Sequence, residues 1–472
     1  LILLREMQAG HFSFAHFYQR RARRILPILF TVMLVTFPIA WMTMYSKAII
    51  EYASSALSIL FFGSNIYFLM ENSYWAEPSH LKPLLHTWSL SVEEQFYVIY
   101  PIMLLGIWKF FRSNIISVFI IIAIASLILA EFGSRDYQYE SANFYLLPTR
   151  AWEVLCGALL AKIELNRAGR HFTGSFNLFM PGLGIVLILA SVVLFTEETR
   201  HPSLITALPV LGTMLLIWYA KKGEPVTDLL STKAFVGVGL ISYSFYLWHF
   251  PAFAFARISL DTLSSVDKIG LIRLSVLFSI VSYFIIEKPA RNKIKAPLKP
   301  FVACLAIAFL VLLSLNVYVL RSDGVVGRYD SFESLLAPYD YGDDYLQHTC
   351  FLEPEDMTGD NPFANCPPPN DADKPHLLLW GDSHAAHLIP GYKEYFEEDY
   401  HLIIRTSSDC KPIPGRSPRH RPDCKSINDE VLNYIRESRP ERVVLAARWE
   451  REQYKTLMRS INALQRVDIQ NI

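Results

Sequence analysis

The 472-residue chain reads as a multi-pass α-helical membrane domain followed by a C-terminal α/β domain built on a parallel, doubly wound sheet. Three observations predict this. Hydrophobic residues make up 52% of the chain and charged residues only 19%, which lies outside what a soluble domain usually shows. Apolar runs long enough to span a bilayer recur as far as residue 320. Beyond that point Pro, Asp, Asn and Tyr dominate, and short apolar strands then alternate with helical patterns. Basic and acidic residues balance at 44 each, so the overall charge gives no reason to expect a nucleic-acid partner.

The spans are expected near 25–45, 96–111, 115–131, 145–163, 178–195, 203–220, 234–257, 269–287 and 301–320. A further apolar stretch, 50–70, is interrupted by Glu51, Ser54, Ser55, Ser58, Gly63, Ser64 and Asn65. Lys and Arg in short loops stay on the cytoplasmic side, and Arg20, Arg21, Arg23 and Arg24 therefore place the start of the first span inside. If 50–70 is re-entrant or interfacial, the loops carrying Lys109 and Arg112, Arg167 and Arg170, Lys221 and Lys222, and Lys288 to Lys299 all fall inside as well. The loops with Glu131, Asp136 and Glu140, and with Glu197 and Glu198, then fall outside. A crossing 50–70 would invert every one of these assignments, so the charge pattern favours the non-crossing reading.

The membrane domain is expected to cover 1–320, a linker 321–375, and the soluble domain 376–472, delivered to the outside. In that domain His376–Trp380, His401–Arg405 and Arg442–Ala447 read as strands, and His384–Phe396 and Ile427–Glu437 as helices. Cys350, Cys366, Cys410 and Cys424 form an even set in an oxidising compartment. Of the three possible connectivities, Cys350 with Cys366 and Cys410 with Cys424 is preferred. Their spacing, with no paired histidines, does not suit zinc, and no metal is expected.

Gly381-Asp382-Ser383-His384 follows an apolar strand and opens a helix, which puts a serine hydroxyl at the carboxyl end of a sheet strand. The plain alternative is a strand-to-helix turn with a capping side chain. A serine nucleophile needs a histidine base and an orienting carboxylate, and no late Asp-x-x-His follows. His384, His387, His401 and His420 read as surface or packing residues. In the membrane part, His86-Thr-Trp-Ser-Leu-Ser-Val-Glu-Glu-Gln-Phe-Tyr97 sets His86, Glu93 and Glu94 at the edge of a span, where ionisable groups are costly and commonly functional. Capping by Ser89 or Ser91 with acidic residues in the first turn is the structural alternative.

Arg20-Arg-Ala-Arg-Arg24-Ile-Leu-Pro27 is read first as a topology signal or a contact with membrane lipid, with phosphate recognition by forked guanidinium groups as the second possibility. Arg150 and Glu153, spaced i,i+3, are either a self-neutralising pair or part of a polar cavity. Trp248 fits an interfacial belt, whereas His249, preceding Pro251, leans functional. Glu287 and Arg291 read as an end clamp.

Together with Tyr-Leu-Trp-His and Glu-Lys-Pro-Ala-Arg, these motifs resemble, in order and spacing, the bacterial membrane acyltransferase-3 family; the Gly-Asp-Ser-His segment resembles the flavodoxin-like SGNH domain fused to some of its members. The resemblance implies O-acyl transfer, with acetyl-CoA as the cytoplasmic donor and a surface glycan such as lipopolysaccharide O-antigen as acceptor. The protein would lie in the bacterial inner membrane with its SGNH domain in the periplasm. It also implies that Arg21 and Arg24 face the donor, that His86, Ser89, Ser91, Glu93 and Glu94 line the transfer path, and that Ser383 is the nucleophile with Gly381 and Asp382 in its turn. Arg150, Glu153, Trp248 and His249 are expected to join the substrate-binding set. Three family features are expected to lie outside this stretch of chain or to be missing: an upstream Arg and His pair, the late Asp and His, and an oxyanion Asn, near whose expected place stands Trp449. A glycan de-O-acetylase, a peptidoglycan or exopolysaccharide acyltransferase, and an acyl-group exporter are the alternatives.

Overall fold

The computed structural model describes residues 2–472 apart from 72–77, 168–175, 197–198, 222, 261, 326–327, 329–341, 357–360, 368–373, 419–420, 450–453 and 470. Arg170, Glu197, Glu198, Lys222 and His420, used in the sequence reading, lie outside the described residues. The chain divides into two compact units, Leu1–Leu335 and Leu336–Ile472.

The first unit is helical: α1 (Ile2–Gln8), α2 (Phe14–Thr43), α3 (Ser46–Leu60), α4 (Ser64–Met70), α5 (Thr87–Phe110), α6 (Ile115–Gly133), α7 (Tyr137–Tyr145) and α8 (Leu147–Arg167) come first. They are followed by α9 (Phe176–Leu194), α10 (Ala207–Tyr219), α11 (Pro225–Leu230), α12 (Lys233–Ser259), α13 (Ser265–Ser282), a π-helical turn Tyr283–Glu287, α14 (Lys288–Arg291) and α15 (Leu298–Arg321). Among the described residues five stretches are long and apolar enough to cross a membrane: Phe14–Thr43, Thr87–Phe110, Arg112–Gly133, Ser265–Arg291 and Leu298–Arg321. Shorter apolar helices run over Phe179–Leu194 and Ala207–Tyr219. Exposed Leu, Ile, Val and Phe on α6, α9, α13 and α15 are what lipid contact requires.

Three expectations need correction. The first span begins at Phe14 rather than near 25, so the arginines sit inside α2 and Pro27 lies in its interior rather than at its start. An apolar-run reading stops at charge, but a helix buried against neighbours carries arginines through its early turns. The second span likewise begins at Thr87, not 96, so Glu93 and Glu94 are within α5. Ser89 and Ser91 are not caps; His86 occupies the N-cap and makes no capping bond. The 50–70 stretch is broken into α3, of 15 residues, and α4, of 7, around Phe61–Gly63. At about 1.5 Å per residue neither half alone covers a hydrocarbon core of about 30 Å.

The second unit contains α16 (Gly342–Tyr345), β1 (Phe351–Leu352), β2 (His376–Gly381), α17 (Ser383–Ala386), α18 (Ile389–Phe396), β3 (His401–Ser407), α19 (Cys424–Ser438), β4 (Arg442–Ala446) and α20 (Tyr454–Gln465). The sheet order is β1-β3-β2-β4 with every pairing parallel. Strand β1 lies in the stretch read as a linker; two residues are too short to leave a periodicity signal. The helix expected over His384–Phe396 is two helices, because Pro390, with no N–H to donate, opens α18 as a fresh start. Trp380 fills the core and its indole N–H donates to Asn428 Oδ1 at 2.9 Å. Cys350 bonds Cys366 and Cys410 bonds Cys424, with Cα separations of 4.8 and 5.4 Å.

Candidate active sites

Along α5, residues 86, 89, 93, 97 and 100 recur at i, i+3, i+7, i+11 and i+14, so the helical period alone puts them on one face. At its amino end His86 is buried, and neither ring nitrogen has a hydrogen-bond partner among the described residues. The ring stacks on Phe250 at 5.2 Å and meets Tyr246 and His249 edge-on at 5.1 and 5.8 Å. The Tyr246 hydroxyl donates to the His86 carbonyl. Having a single proton, that hydroxyl must accept at its other contact, from Ser89 Oγ at 2.7 Å. This pins the start of α5 to α12.

A second set of polar contacts fastens α5 to the broken segment. Ser91 bonds Ser64 at 2.8 Å, and Thr87 donates to Ser64 at 3.2 Å. Gln95 Nε2 donates to the Phe62 carbonyl at 2.9 Å and to Asn65 Oδ1 at 2.8 Å, while Asn65 reaches the Tyr145 carbonyl at 3.1 Å. Ser91 is thus a helix-to-helix contact. Asn65 and Gln95 were not among the expected site residues, although Gln95 sits inside the quoted motif and Asn65, a fully buried amide, is one of the polar residues that interrupt the 50–70 stretch.

Deeper along α5, a cavity of ≈ 480 Å³ is lined by Arg20, Arg21 and Arg24 of α2, Phe96, Tyr97 and Tyr100 of α5, and Gly157 and Ala158 of α8, among others. The four arginines divide by helical phase. Arg20 pairs with Glu6 at 2.9 Å. Arg23 turns away, donating to the Ala290 carbonyl at 2.9 Å and covering the Phe301 ring at 4.3 Å. Arg21 and Arg24, one turn apart, face α5. The Arg21 guanidinium lies 3.5 Å from the Tyr97 ring centre, and both arginines are within electrostatic reach of Glu93. Arg21 also reaches Glu94, whose Oε1 is buried with no hydrogen-bond partner among the described residues.

Arg150 and Glu153 do share a face, but at 3.7 Å the pair is long. The nearer polar partners of Arg150 are the Phe144 carbonyl at 2.6 Å and His201 Nε2 at 3.2 Å, and its guanidinium also lies over the Trp88 and Phe144 rings, 4.7 and 4.8 Å from their centres. Burial and the Arg150 charge lower His201 to about 4, so it stays neutral and accepts from the arginine. Trp88 and His201 were missed; an aromatic beside a motif histidine and a histidine before a proline carry little signal alone. Trp248 is buried, its indole N–H donating to Ser282 Oγ at 2.8 Å, and so does not belong to an interfacial belt. His249 is brought against His86. Glu287 receives Ser244 Oγ at 2.7 Å and Arg291, which makes it the expected clamp.

In the second unit, β2 runs directly into α17 through Gly381–Asp382–Ser383. Asp382 caps α17, its carboxylate accepting from the His384 N–H at 2.9 Å and, with its other oxygen, from the Arg448 N–H at 3.0 Å. Asp382 therefore ties the turn to the chain leaving β4. Gly381 is required because a Cβ there would collide with the Ala446 carbonyl oxygen. Ser383 is half-buried at the first position of α17, and His384 and His387 beyond it are exposed. Among the described residues no group of three or more His, Cys, Asp or Glu is placed to hold a metal ion.

Comparison with known proteins agrees with this division. A family model described as an acyltransferase domain matches residues 3–288, and one described as an SGNH domain fused to AT3 domains matches 349–470. The chain is 26% identical over 292 residues to the O-acetyltransferase OatA of Staphylococcus aureus (strain NCTC 8325 / PS 47), covering 59% of this chain and 47% of that protein. It is 26% identical over 302 residues to YrhL of Bacillus subtilis (strain 168), provisionally named a peptidoglycan O-acetyltransferase, covering 60% of this chain and 46% of that protein. An uncharacterized Haemophilus influenzae protein (strain ATCC 51907 / DSM 11121 / KW20 / Rd) is 30% identical over 224 residues, 46% of this chain and 91% of its own. The chain thus spans about half the length of the named relatives it matches. No solved structure matches. With well over half of its residues under the acyltransferase model and its parallel-sheet unit under the SGNH model, the chain belongs to the acyltransferase-3 family and carries a fused SGNH domain.

Proposed function

We propose that this chain is part of an O-acyltransferase that takes an acetyl group from acetyl-CoA at the cytoplasmic face of a bacterial inner membrane and delivers it to a hydroxyl of an extracytoplasmic glycan. The observation that supports this most is the single face of α5, which joins an arginine-walled cavity at Tyr97 to a buried histidine, His86, whose ring nitrogens have no hydrogen-bond partner among the described residues. The cavity volume falls in the range of about 300–1,000 Å³ found for small-molecule sites. Arg21 and Arg24 offer forked donors suited to the phosphates of a nucleotide thioester. Glu93 and Glu94 are the acidic groups within electrostatic reach of Arg21.

His86 is the base in this reading. Acyl transfer forms an oxygen–carbon bond and breaks the carbon–sulfur bond; the hydroxyl proton goes to an imidazole that must be neutral to receive it, and thence to the leaving thiolate. About 11 residues separate His86 from Tyr97, some 16 Å along the helix, so the base stands well above the arginines. The Ser383 hydroxyl then takes the acetyl group in the periplasm, its ester forming as the first acceptor's ester breaks and that acceptor regains a proton; the glycan hydroxyl attacks in turn, the glycan ester forming as the seryl ester breaks and Ser383 regains its proton. The name of the Bacillus relative makes peptidoglycan the first acceptor to test, ahead of O-antigen.

The test uses membranes containing the full-length protein, acetyl-CoA labelled in the acetyl group, and purified glycan. Label is expected in glycan ester, abolished by Ser383→Ala and reduced roughly 100-fold or more by His86→Asn. Release of free acetate without glycan ester would establish the esterase instead, and label reaching neither product would overturn the assignment.

A further inference from the structure

We propose that His249 is the proton-holding partner of His86 across the contact between α12 and α5; this rests on the acyl-transfer reading above. His249 Nδ1 lies 3.1 Å from the Phe245 carbonyl oxygen one turn back on its own helix. A carbonyl can only accept, so Nδ1 carries the hydrogen, and in the neutral ring Nε2 is left with the lone pair. The backbone of α12 therefore sets this imidazole as a proton acceptor. Its ring stands edge-on to His86 at 5.8 Å, and the two are in electrostatic reach of each other.

His86 completes the case. A buried polar group without a partner is costly, and among the described residues neither nitrogen of the His86 ring has a full hydrogen bond, the Leu247 backbone lying close to the ring. The other ionisable groups around the pair are occupied elsewhere. On α5, Ser89 is turned to Tyr246 and Glu93 acts on Tyr246 from two turns beyond His86. On α12, Tyr246 bonds the His86 carbonyl, while Tyr243 donates to the Ile25 carbonyl at 3.1 Å and feels Glu94 and Glu287. The short turn Ser79–Leu81, packed on α12, brings His80, which is exposed. Among the described residues, the imidazole that reaches His86 is that of His249.

The step balances as follows. As the acceptor oxygen bonds the acyl carbon, its proton goes to one nitrogen of His86, and the hydrogen on the other passes to His249 Nε2. The carbon–sulfur bond breaks, the imidazolium of His249 gives its Nε2 proton back to His86, and His86 releases the proton on its other nitrogen to the thiolate, leaving both rings neutral. Two imidazoles this close do not both hold charge. His249 touches neither substrate here and acts through His86.

Two measurements test this on the full-length protein in lipid nanodiscs. Nitrogen-15 NMR of labelled histidines, assigned with His86→Asn and His249→Asn, should show His249 as the Nδ1–H tautomer and a shifted midpoint for each ring when the other is replaced. An Nε2–H tautomer, or midpoints that do not move, would overturn the pairing whether or not transfer is detected. In the transfer assay His249→Asn, which keeps a donor toward Phe245, should lower the rate about 100-fold, remove one limb of the pH–rate profile and leave acetyl-CoA affinity unchanged. An unaltered profile also sinks it, whereas a wild-type protein that transfers nothing counts against the acyl-transfer reading and leaves the NMR result to decide the pair.

Discussion

Gly381 shows how little room the serine turn leaves. Substitution with Ala would drive a methyl into the Ala446 carbonyl, and the expected cost is about 3 kcal/mol or more, read as a lowered unfolding midpoint of the SGNH domain. Gly391 on α18 has open space around it, so Gly391→Ala should instead stabilise by roughly 0.5–1 kcal/mol and serves as the contrasting measurement. Charge at single residues also makes a pH prediction. His348 is raised by its contact with Asp356 at 2.9 Å, and Glu353 is raised by burial. For both, the folded form binds protons more tightly than the unfolded one, so each contribution is present at low pH and fades as pH rises. Glu353 acts from about 4.5 upward and His348 from about 6.5 upward. His348→Ala should flatten the upper part of the stability profile only, by a small amount because the pair is exposed.

Elements in this protein are held by side chains that bridge them. Asp382 is both the cap of α17 and the acceptor for the loop leaving β4, so Asp382→Ala removes two bonds at once. A cap alone is worth about 0.5–2 kcal/mol, and the loss here should sit at or above the top of that range in chemical denaturation. Among the helices, Arg150 is sandwiched by Trp88 on α5 and Phe144 on α7 while its own Cα is on α8. Lys offers neither the plane nor the fork, so Arg150→Lys should lower the thermal midpoint of the detergent-solubilised protein nearly as much as Arg150→Met. Equal stability of Arg150→Lys and the parent would show that charge, not stacking, is what counts there.

The proposed transfer requires the arginine cavity and Ser383 to be served from opposite faces of the membrane. The basic loop at Arg112 and the acidic loop at Asp136 flank α6, which is apolar enough to cross a membrane. Cysteine tags there should label from opposite faces, and a tag beside Ser383 should label with the Asp136 side. Both tags labelling from one face would remove the need for a transmembrane acyl path. In the same samples the four soluble-domain cysteines should resist alkylation until reduced, while Cys156 and Cys304 remain thiols.

The amino-acid sequence carries the helical membrane class, the parallel α/β domain and the motif residues, because these rest on local period, hydropathy and spacing, and it narrows the four cysteines to three connectivities, between which the fold chooses. It misjudged where α2 and α5 begin, since an apolar run ends at charge whereas a helix ends only where its backbone bonds do. Packing between helices is what takes Arg23 out of the arginine cluster, makes Trp248 a buried donor to Ser282 and lays His249 against His86. The histidines are separated by more than 160 residues of chain, and Asn65, Trp88 and His201 have no periodic partner of their own. Such meetings depend on which helix faces pack together, and that is settled by the fit of many side chains at once rather than by any one stretch of sequence.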